Sequence, residues 1–542
     1  MSGPTGTLAR MRDREGLTSG SDAGSEGTSV VEERVFSRSD FLVFSLLTAL
    51  NLGALAFAAQ RFVAAARVDT SSAWLPLILF VVPMLLMWEL RWFALPAMRR
   101  PRPLAAPAGL RVAAVTTFVP ASEPLAMLAE TVRALVALDY PHDTWILDEG
   151  DDPAVKRLCQ EAGARYFSRR QLPGYQTESG RFQKHSKHGN YNAWLDAFGF
   201  RDYDVIATFD PDHVPVCHYL SRLLGYLRDP GVAYVQSPQL YYNQAASFIA
   251  RGAAEETYAY YSSVQMAGYA AGYPVSIGCH TVHRACALEQ IGGLPPHEAD
   301  DLAMTLLYLS LGWRGVYDPV PLAEGLTPVD WDGYLKQQRR WARSVLDLKL
   351  RMYPRLVRSL PPRVRVAAGL HGLYYVSGLA IPFAVGVLCY DLATSRHSTV
   401  DHLSTFVPMI TLYAVLVCCD LYRQRFYIRR DREVGFHWRA AILKFAKWPW
   451  LFAALLDVVR PRHRPYEITA KTALSGRRAV TAPHALTAFV IAISWLVGRL
   501  AGSHPSALIE IAAGAALAIS LGVAATGFRY FPPPYDPALA PA

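Results

Sequence analysis

Charge is what this chain is short of. Only 18% of its 542 residues are Asp, Glu, Lys or Arg, where a soluble globular protein carries roughly 25%. The shortage is local. Apolar runs long enough to cross a bilayer, about 20 residues, lie near both ends. The middle, from about Pro103 to Arg365, has the composition of a soluble domain. Paired cysteines are lacking too. The seven (159, 217, 279, 286, 389, 418, 419) form no Cys-x-x-Cys and are odd in number, which argues against a disulfide framework or a zinc site and for a reducing compartment. A typical signal peptide is missing as well. Residues 1–39 are polar, rich in Ser, Gly, Glu and Arg, and read as a disordered tail.

The net charge of +9 would suit nucleic acid, but the basic residues cluster beside the apolar runs. That is the positive-inside pattern of a membrane protein, so a lipid bilayer is the expected partner and nucleic acid is not. Two spans are expected within 40–95 (Phe41 to about Val63, Ala73 to about Leu90), two within 366–423 and two within 485–528, about six in all. Arg34, Arg38, Arg99, Arg100 and Arg102 flank the first pair and put the central domain and both termini in the cytosol. Residues 346–365 read as a basic interfacial helix. Residues 436–459 carry Arg439, Lys444 and Lys447, are basic at both ends, and read as a second interfacial helix or hairpin. Residues 529–542 form a tail.

Residues 103–345 hold the chemistry. Leu110–Val119 is β-rich, Pro124–Leu138 helical, Thr144–Asp148 a strand, Pro153–Ala162 helical and Arg165–Ser168 a strand again. This alternation predicts an α/β domain with a parallel sheet and crossover helices, whose ligand sits at the carboxyl ends of the strands. Asp148 and Glu149 fall there. So does Phe209-Asp210-Pro211-Asp212-His213, which follows the strand-like Val205–Thr208. Carboxylates at i and i+2 past a buried strand can turn on one Mg²⁺ or Mn²⁺, cations that prefer oxygen ligands and often share them with phosphates. Alone, such a run is more often an ordinary loop.

Three further runs bear on it. His185-Ser-Lys187-His-Gly189-Asn190, leading into a helix at Ala193–Phe198, is either a solvated basic turn or a cradle for an anionic phosphate. His297-Glu298-Ala-Asp300-Asp301 precedes the helical Leu302–Leu311; acidic residues there are ordinary capping or a general base. In Gln337-Gln338-Arg339-Arg340-Trp341, the side chains of Gln337, Arg340 and Trp341 share a helix face. Arg can stabilise a departing diphosphate and Trp can stack on a sugar, while an amphipathic helix at a membrane surface would carry the same pattern.

Taken in order, these runs resemble the processive, membrane-embedded family-2 glycosyltransferases, most of all bacterial cellulose synthase catalytic subunits. Leu147-Asp148-Glu149-Gly150 is similar to their Asp-Asp-Gly, His185–Asn190 to His-Ala-Lys-Ala-Gly-Asn, and Phe209–Pro215 to the Asp-x-Asp block. Val235–Gln239 with Tyr242-Asn243 resembles a further run, Asp301 stands at the Asp of Thr-Glu-Asp, Gln337–Trp341 fits Gln-x-x-Arg-Trp, and Tyr466-Glu-Ile-Thr469-Ala-Lys471 resembles the gating loop, expected at 465–482.

The resemblance implies a GT-A-like mixed sheet joined to an α-helical transmembrane bundle in a bacterial plasma membrane. It implies inverting hexosyl transfer from a nucleotide-diphosphate sugar, UDP-glucose first, to a growing polysaccharide, and it leaves an accessory subunit open as a partner. Asp148, Glu149, Lys187, Asn190, Asp210, Thr469 and Lys471 would then meet the nucleotide sugar, and Asp210 and Asp212 a Mg²⁺ or Mn²⁺ cofactor. Asp301, with Asp300, would be the base; Gln337, Arg340 and Trp341 would serve catalysis, and Gly278, Cys279, His280 and Trp341 the acceptor. Three departures stand out: Ala299-Asp300-Asp301 replaces Thr-Glu-Asp, Pro120-Ala-Ser-Glu123 replaces a longer nucleotide run, and no cyclic-dinucleotide domain follows the last span. A transferase that adds one sugar to a lipid carrier, or a degenerate one acting as a membrane scaffold, are the alternatives.

Overall fold

The computed structural model describes residues 29–68, 82–120, 122–394, 403–460, 480–527, 533 and 535–539. Its central sheet has seven strands: β1 Val112–Phe118, β2 Asp143–Asp148, β3 Arg165–Phe167, β4 Val205–Phe209, β5 Val232–Gln236, β6 His280–Arg284 and β7 Arg314–Tyr317. Their order is β7-β5-β6-β4-β1-β2-β3. Strands β4, β1, β2 and β3 run parallel, as do β5 and β7. Strand β6 lies antiparallel between β4 and β5. The sheet is therefore mixed, as the family resemblance implies, and the alternation of strands and helices alone, which suggested parallel pairing, missed the reversed strand. Strands β1, β4 and β5 are buried throughout, because helices cover both faces and leave no solvent side to alternate with. One face packs on Val112, Phe209, Leu223 and Val235, the other on Trp145, Trp194, Ile206 and Tyr308.

The helices used below are α1 Arg38–Val68, α2 Lys187–Trp194, α3 Phe248–Ala259, α4 Asp300–Ser310, α5 Trp331–Arg351, α6 Ser377–Thr394, α7 Leu403–Arg423, α8 Trp438–Ala446, α9 Trp448–Val459, α10 Ala482–Leu500 and α11 Ala507–Thr526. Among the described residues, five stretches are helical, long and apolar enough to cross a membrane: Arg38–Ala64, Pro362–Thr394, Phe406–Phe426, Ala482–Leu500 and Ala507–Thr526. The second expected span lies partly outside the described residues, and its visible part is the short helix Val82–Phe93. Helix α1 packs on α7, α6 on α9 and α10, and α5 on α9.

Three boundaries differ from the sequence reading. The first interfacial helix does not start at 346, since α5 runs unbroken from Trp331 to Arg351 with no Gly or Pro between 334 and 353 to stop it. The segment 436–459 is two helices, α8 and α9, divided at Lys447 with Pro449 at the start of the second, where proline's missing N–H is harmless. Helix α2 begins at Lys187 rather than Ala193, because Ser186 caps it by accepting from the Gly189 N–H at 3.1 Å.

Candidate active site at the strand ends

Strand β4 ends at Phe209 and delivers Asp210 and Asp212 to the carboxyl edge of the sheet. The Asp210 N–H donates to the Cys279 carbonyl at 2.7 Å, tying this loop to the one that enters β6. Asp210 accepts from Lys187 Nζ at 2.6 Å, and the same amine reaches the Gly278 carbonyl at 2.8 Å. Burial works against the Lys187 ammonium, but the Asp210 and Asp300 carboxylates outweigh it and raise its pKa. Asp212 is buried and accepts from the Leu326 N–H at 3.2 Å.

His213 completes this corner. Its ring packs over Gly325, where a Cβ would fall 2.4 Å from the imidazole. Its Nδ1 is buried without a hydrogen-bond partner, 3.5 Å from Asp212 Oδ1. Asp210, Asp212 and His213 bring their ligand atoms within 4.8 Å of one another. Two carboxylates and an imidazole whose ligand atoms lie this close fit a divalent cation, Mn²⁺ or, through the carboxylates, Mg²⁺. His213 stands beside Asp-x-Asp in the sequence, and the fold brings its ring to the same corner.

The end of β2, on the far side of β1, is built differently. Asp148 is fully buried. Its carboxylate accepts from the Gly150 N–H at 2.8 Å, the Asp152 N–H at 2.5 Å and the Tyr166 hydroxyl at 3.0 Å. Burial raises its pKa against those bonds. Glu149 does line the cavity, gripped by Arg169 at 2.7 and 2.9 Å and by the His185 N–H at 3.0 Å. Arg169 is itself wholly buried and donates to the carbonyls of Tyr175, Phe182 and Gln183, which shapes the loop before α2. Asn190, on α2, donates to the Leu147 carbonyl at 3.0 Å and links α2 to β2.

Across from Asp210, Asp300 and Asp301 open α4. Gly278 has φ +69°, and a Cβ there would meet Asp301 Cβ at 3.0 Å, so glycine suits both the turn and the close approach. The Asp301 carboxyl is pushed up to about 7, first by burial and then by Asp300 beside it. On α5, Gln337, Arg340 and Trp341 all line the cavity, as their spacing predicts. Arg339, on another face, pairs with Asp457 at 2.6 Å. Gly278 and Cys279 also reach the cavity wall, but His280 does not. Its Nε2 meets the Pro238 carbonyl at 3.1 Å and its Nδ1 the Cys279 thiol at 3.0 Å, and burial pushes its pKa down to about 3. His280 is a core residue set behind the cavity wall. Thr469 and Lys471 lie outside the described residues.

One cavity of about 1720 Å³ holds Lys187, Asp210, Asp212, Asp301 and Arg340 on its walls, together with membrane-helix residues such as Val385 and Ala512.

Residues 113–344 match the family described as Glycosyltransferase like family 2. That stretch is similar to a family-2 glycosyltransferase domain. The chain is 26% identical over 368 residues to the UDP-forming cellulose synthase catalytic subunit of Pseudomonas fluorescens (strain SBW25), covering 66% of this chain and 47% of that one. It is 30% identical over 311 residues to the corresponding subunit of Xanthomonas axonopodis pv. citri (strain 306), covering 55% and 40%. It thus spans less than half the length of these relatives. Among solved structures, a mannosyltransferase from Pyrobaculum calidifontis in complex with GDP-Man and Mn²⁺ aligns with a TM-score of 0.47 and 16% identity, over 76% of this chain and 100% of that one.

Proposed function

We propose that this chain is a processive, inverting β-glycosyltransferase that polymerises a nucleotide-diphosphate sugar, UDP-glucose, into a cellulose-type β-glucan. In this reading it passes the product through its own membrane helices. The observation that carries this is the single cavity, whose walls include both the carboxylate cluster and residues of α6 and α11. Relatives described as UDP-forming cellulose synthase subunits support the donor and product. The basic flanks of the apolar runs support a cytosolic catalytic domain and cytosolic termini.

Asp210, Asp212 and His213 would hold a divalent cation, which supplies charge to the donor diphosphate. Lys187 and Arg340 add positive charge on the cavity wall. Asp301 accepts the proton of the acceptor hydroxyl. As that oxygen bonds to the anomeric carbon, the bond to the diphosphate breaks on the opposite face, which inverts the centre and releases the nucleoside diphosphate. The raised pKa of Asp301 matches the need, since a base is most effective near the working pH. Trp341 offers the acceptor sugar a stacking surface. Asp148 acts through the loop it braces, and Glu149 and Asn190 border the nucleotide side. Thr469 and Lys471 would close over the nucleotide.

Purified membranes given a panel of nucleotide sugars with Mg²⁺ or Mn²⁺ test this. UDP release with a long product cleaved by β-glucan-specific glycosidases is the expected result. A short lipid-linked product would favour the non-processive transferase, and no release with any donor would favour the scaffold.

A further inference from the structure

Helix α4 carries the two acids but has no side-chain cap. Ala299 occupies the cap position and can offer none. The residues just before it are instead bound to α5. Arg343 grips both oxygens of Glu298, with Nε to Oε2 at 3.1 Å and Nη2 to Oε1. One turn along, Asp347 faces His297 Nε2 at 3.4 Å. His297 Nδ1 accepts from the Ala299 N–H at 3.0 Å, so Nε2 is the nitrogen that carries the proton. Below these contacts the two helices share one apolar cluster containing Leu302, Leu306 and Leu348. Glu298 and Arg343 side chains are only 25% and 18% exposed, so this pair is shielded from solvent more than a surface ion pair.

The position on α5 matters. Arg343 is three residues past Arg340 and two past Trp341, and Glu298 is three before Asp301. A fork-to-fork Arg–carboxylate pair fixes orientation as well as distance. We propose that Glu298 and Arg343 form a latch that sets the carboxylate-bearing start of α4 against the Arg340–Trp341 face of α5, with His297 and Asp347 as its second point. Both are positioning residues. The inference rests on the glycosyl-transfer reading of the site.

The test is a charge-swap cycle read on nucleotide-sugar turnover by the full chain in membranes. Glu298→Gln and Arg343→Gln should each lower kcat roughly tenfold, because small misplacements of reacting groups cost that much or more. Donor KM should stay within about twofold and the melting temperature should hold. The double variant Glu298→Arg/Arg343→Glu should recover most of the loss. Full kcat in both single variants overturns the latch. So does a loss accompanied by a matching fall in melting temperature, which marks a merely structural pair, and so does a double variant no better than the worse single one. The cycle reads coupling on the transfer rate whichever carboxylate takes the proton. Failure of Asp301 as base would appear in Asp301→Asn and leave this cycle readable.

Discussion

Two strands of one sheet, separated by β1, end in acids, and the two ends have opposite fates. At the end of β2, Asp148 gives its oxygens to the turn that follows. At the end of β4, Asp210 pairs with Lys187 on a cavity wall, and Asp212 and His213 bring their ligand atoms within 4.8 Å of its own. The sequences Leu-Asp-Glu-Gly and Phe-Asp-Pro-Asp look alike in kind. What separates them is which backbone N–H groups stand within reach. Behind Asp148, Gly150 and Asp152 turn their N–H groups inward. Behind Asp210, the His213 N–H turns to the Asp210 backbone carbonyl instead, at 3.1 Å. An acid held by its own loop builds structure, and one that faces a cavity is available for chemistry.

If that contrast is right, the β4 end should be the costlier one to lose in activity. Asp212→Ala should lower turnover about a thousandfold or more, the several kcal/mol that a bound cation contributes to transition-state charge. Chelation should do the same to the parent, with added Mn²⁺ restoring the parent and not the variant. An Asp212→Ala protein of near-normal turnover would remove the β4 end from the metal's coordination.

Asp301 is next in size. Asp301→Asn should lower transfer roughly a thousandfold, within the range of general-base contributions, and leave donor binding intact by equilibrium titration. In the parent the rate should climb with pH and level off above about 7, since the base must be deprotonated and its carboxyl is held that high. Stability runs the other way. A carboxyl raised in the folded state favours its protonated form, so stability falls as pH rises from the ordinary carboxylate range toward that value. Asp301→Asn should therefore melt no lower than the parent at pH 8. A rate profile flat down to pH 5 would count against Asp301.

The sequence made the β4 end and the Gln337–Trp341 face legible because both rest on short-range order, a strand followed by acids and an i, i+3, i+4 helix face. It could not show that Asp148 is occupied, since that depends on loop geometry. It hid the start of α2 because Asn190 and Asn192 are polar yet buried. Their partners, the carbonyls of Leu147 and Leu294, lie far away along the chain. Arg169 is wholly enclosed as well, its donors taken by Glu149 and by carbonyls of the loop before α2. Buried polar groups are recognised by partners that only the fold supplies.

The gentlest test acts on the β2 end. Tyr166 donates toward Asp148 Oδ2 and Asp151 Oδ1, both at 3.0 Å. Tyr166→Phe removes that hydroxyl and keeps the ring, over which Lys156 sits at 5.3 Å. The Lys156–Asp151 pair at 2.7 Å is also kept. If Asp148 serves only the turn, the loss is one hydrogen bond, about 1 kcal/mol. That is a melting shift of about 2–4 °C for a domain of this size, with kcat unchanged. Asp148 retains its two backbone donors, so the loop should hold its course. A tenfold fall in kcat or rise in donor KM, with melting unaltered, would mean that Asp148 reaches the substrate after all, and the two strand ends would then be alike in function as well as in sequence.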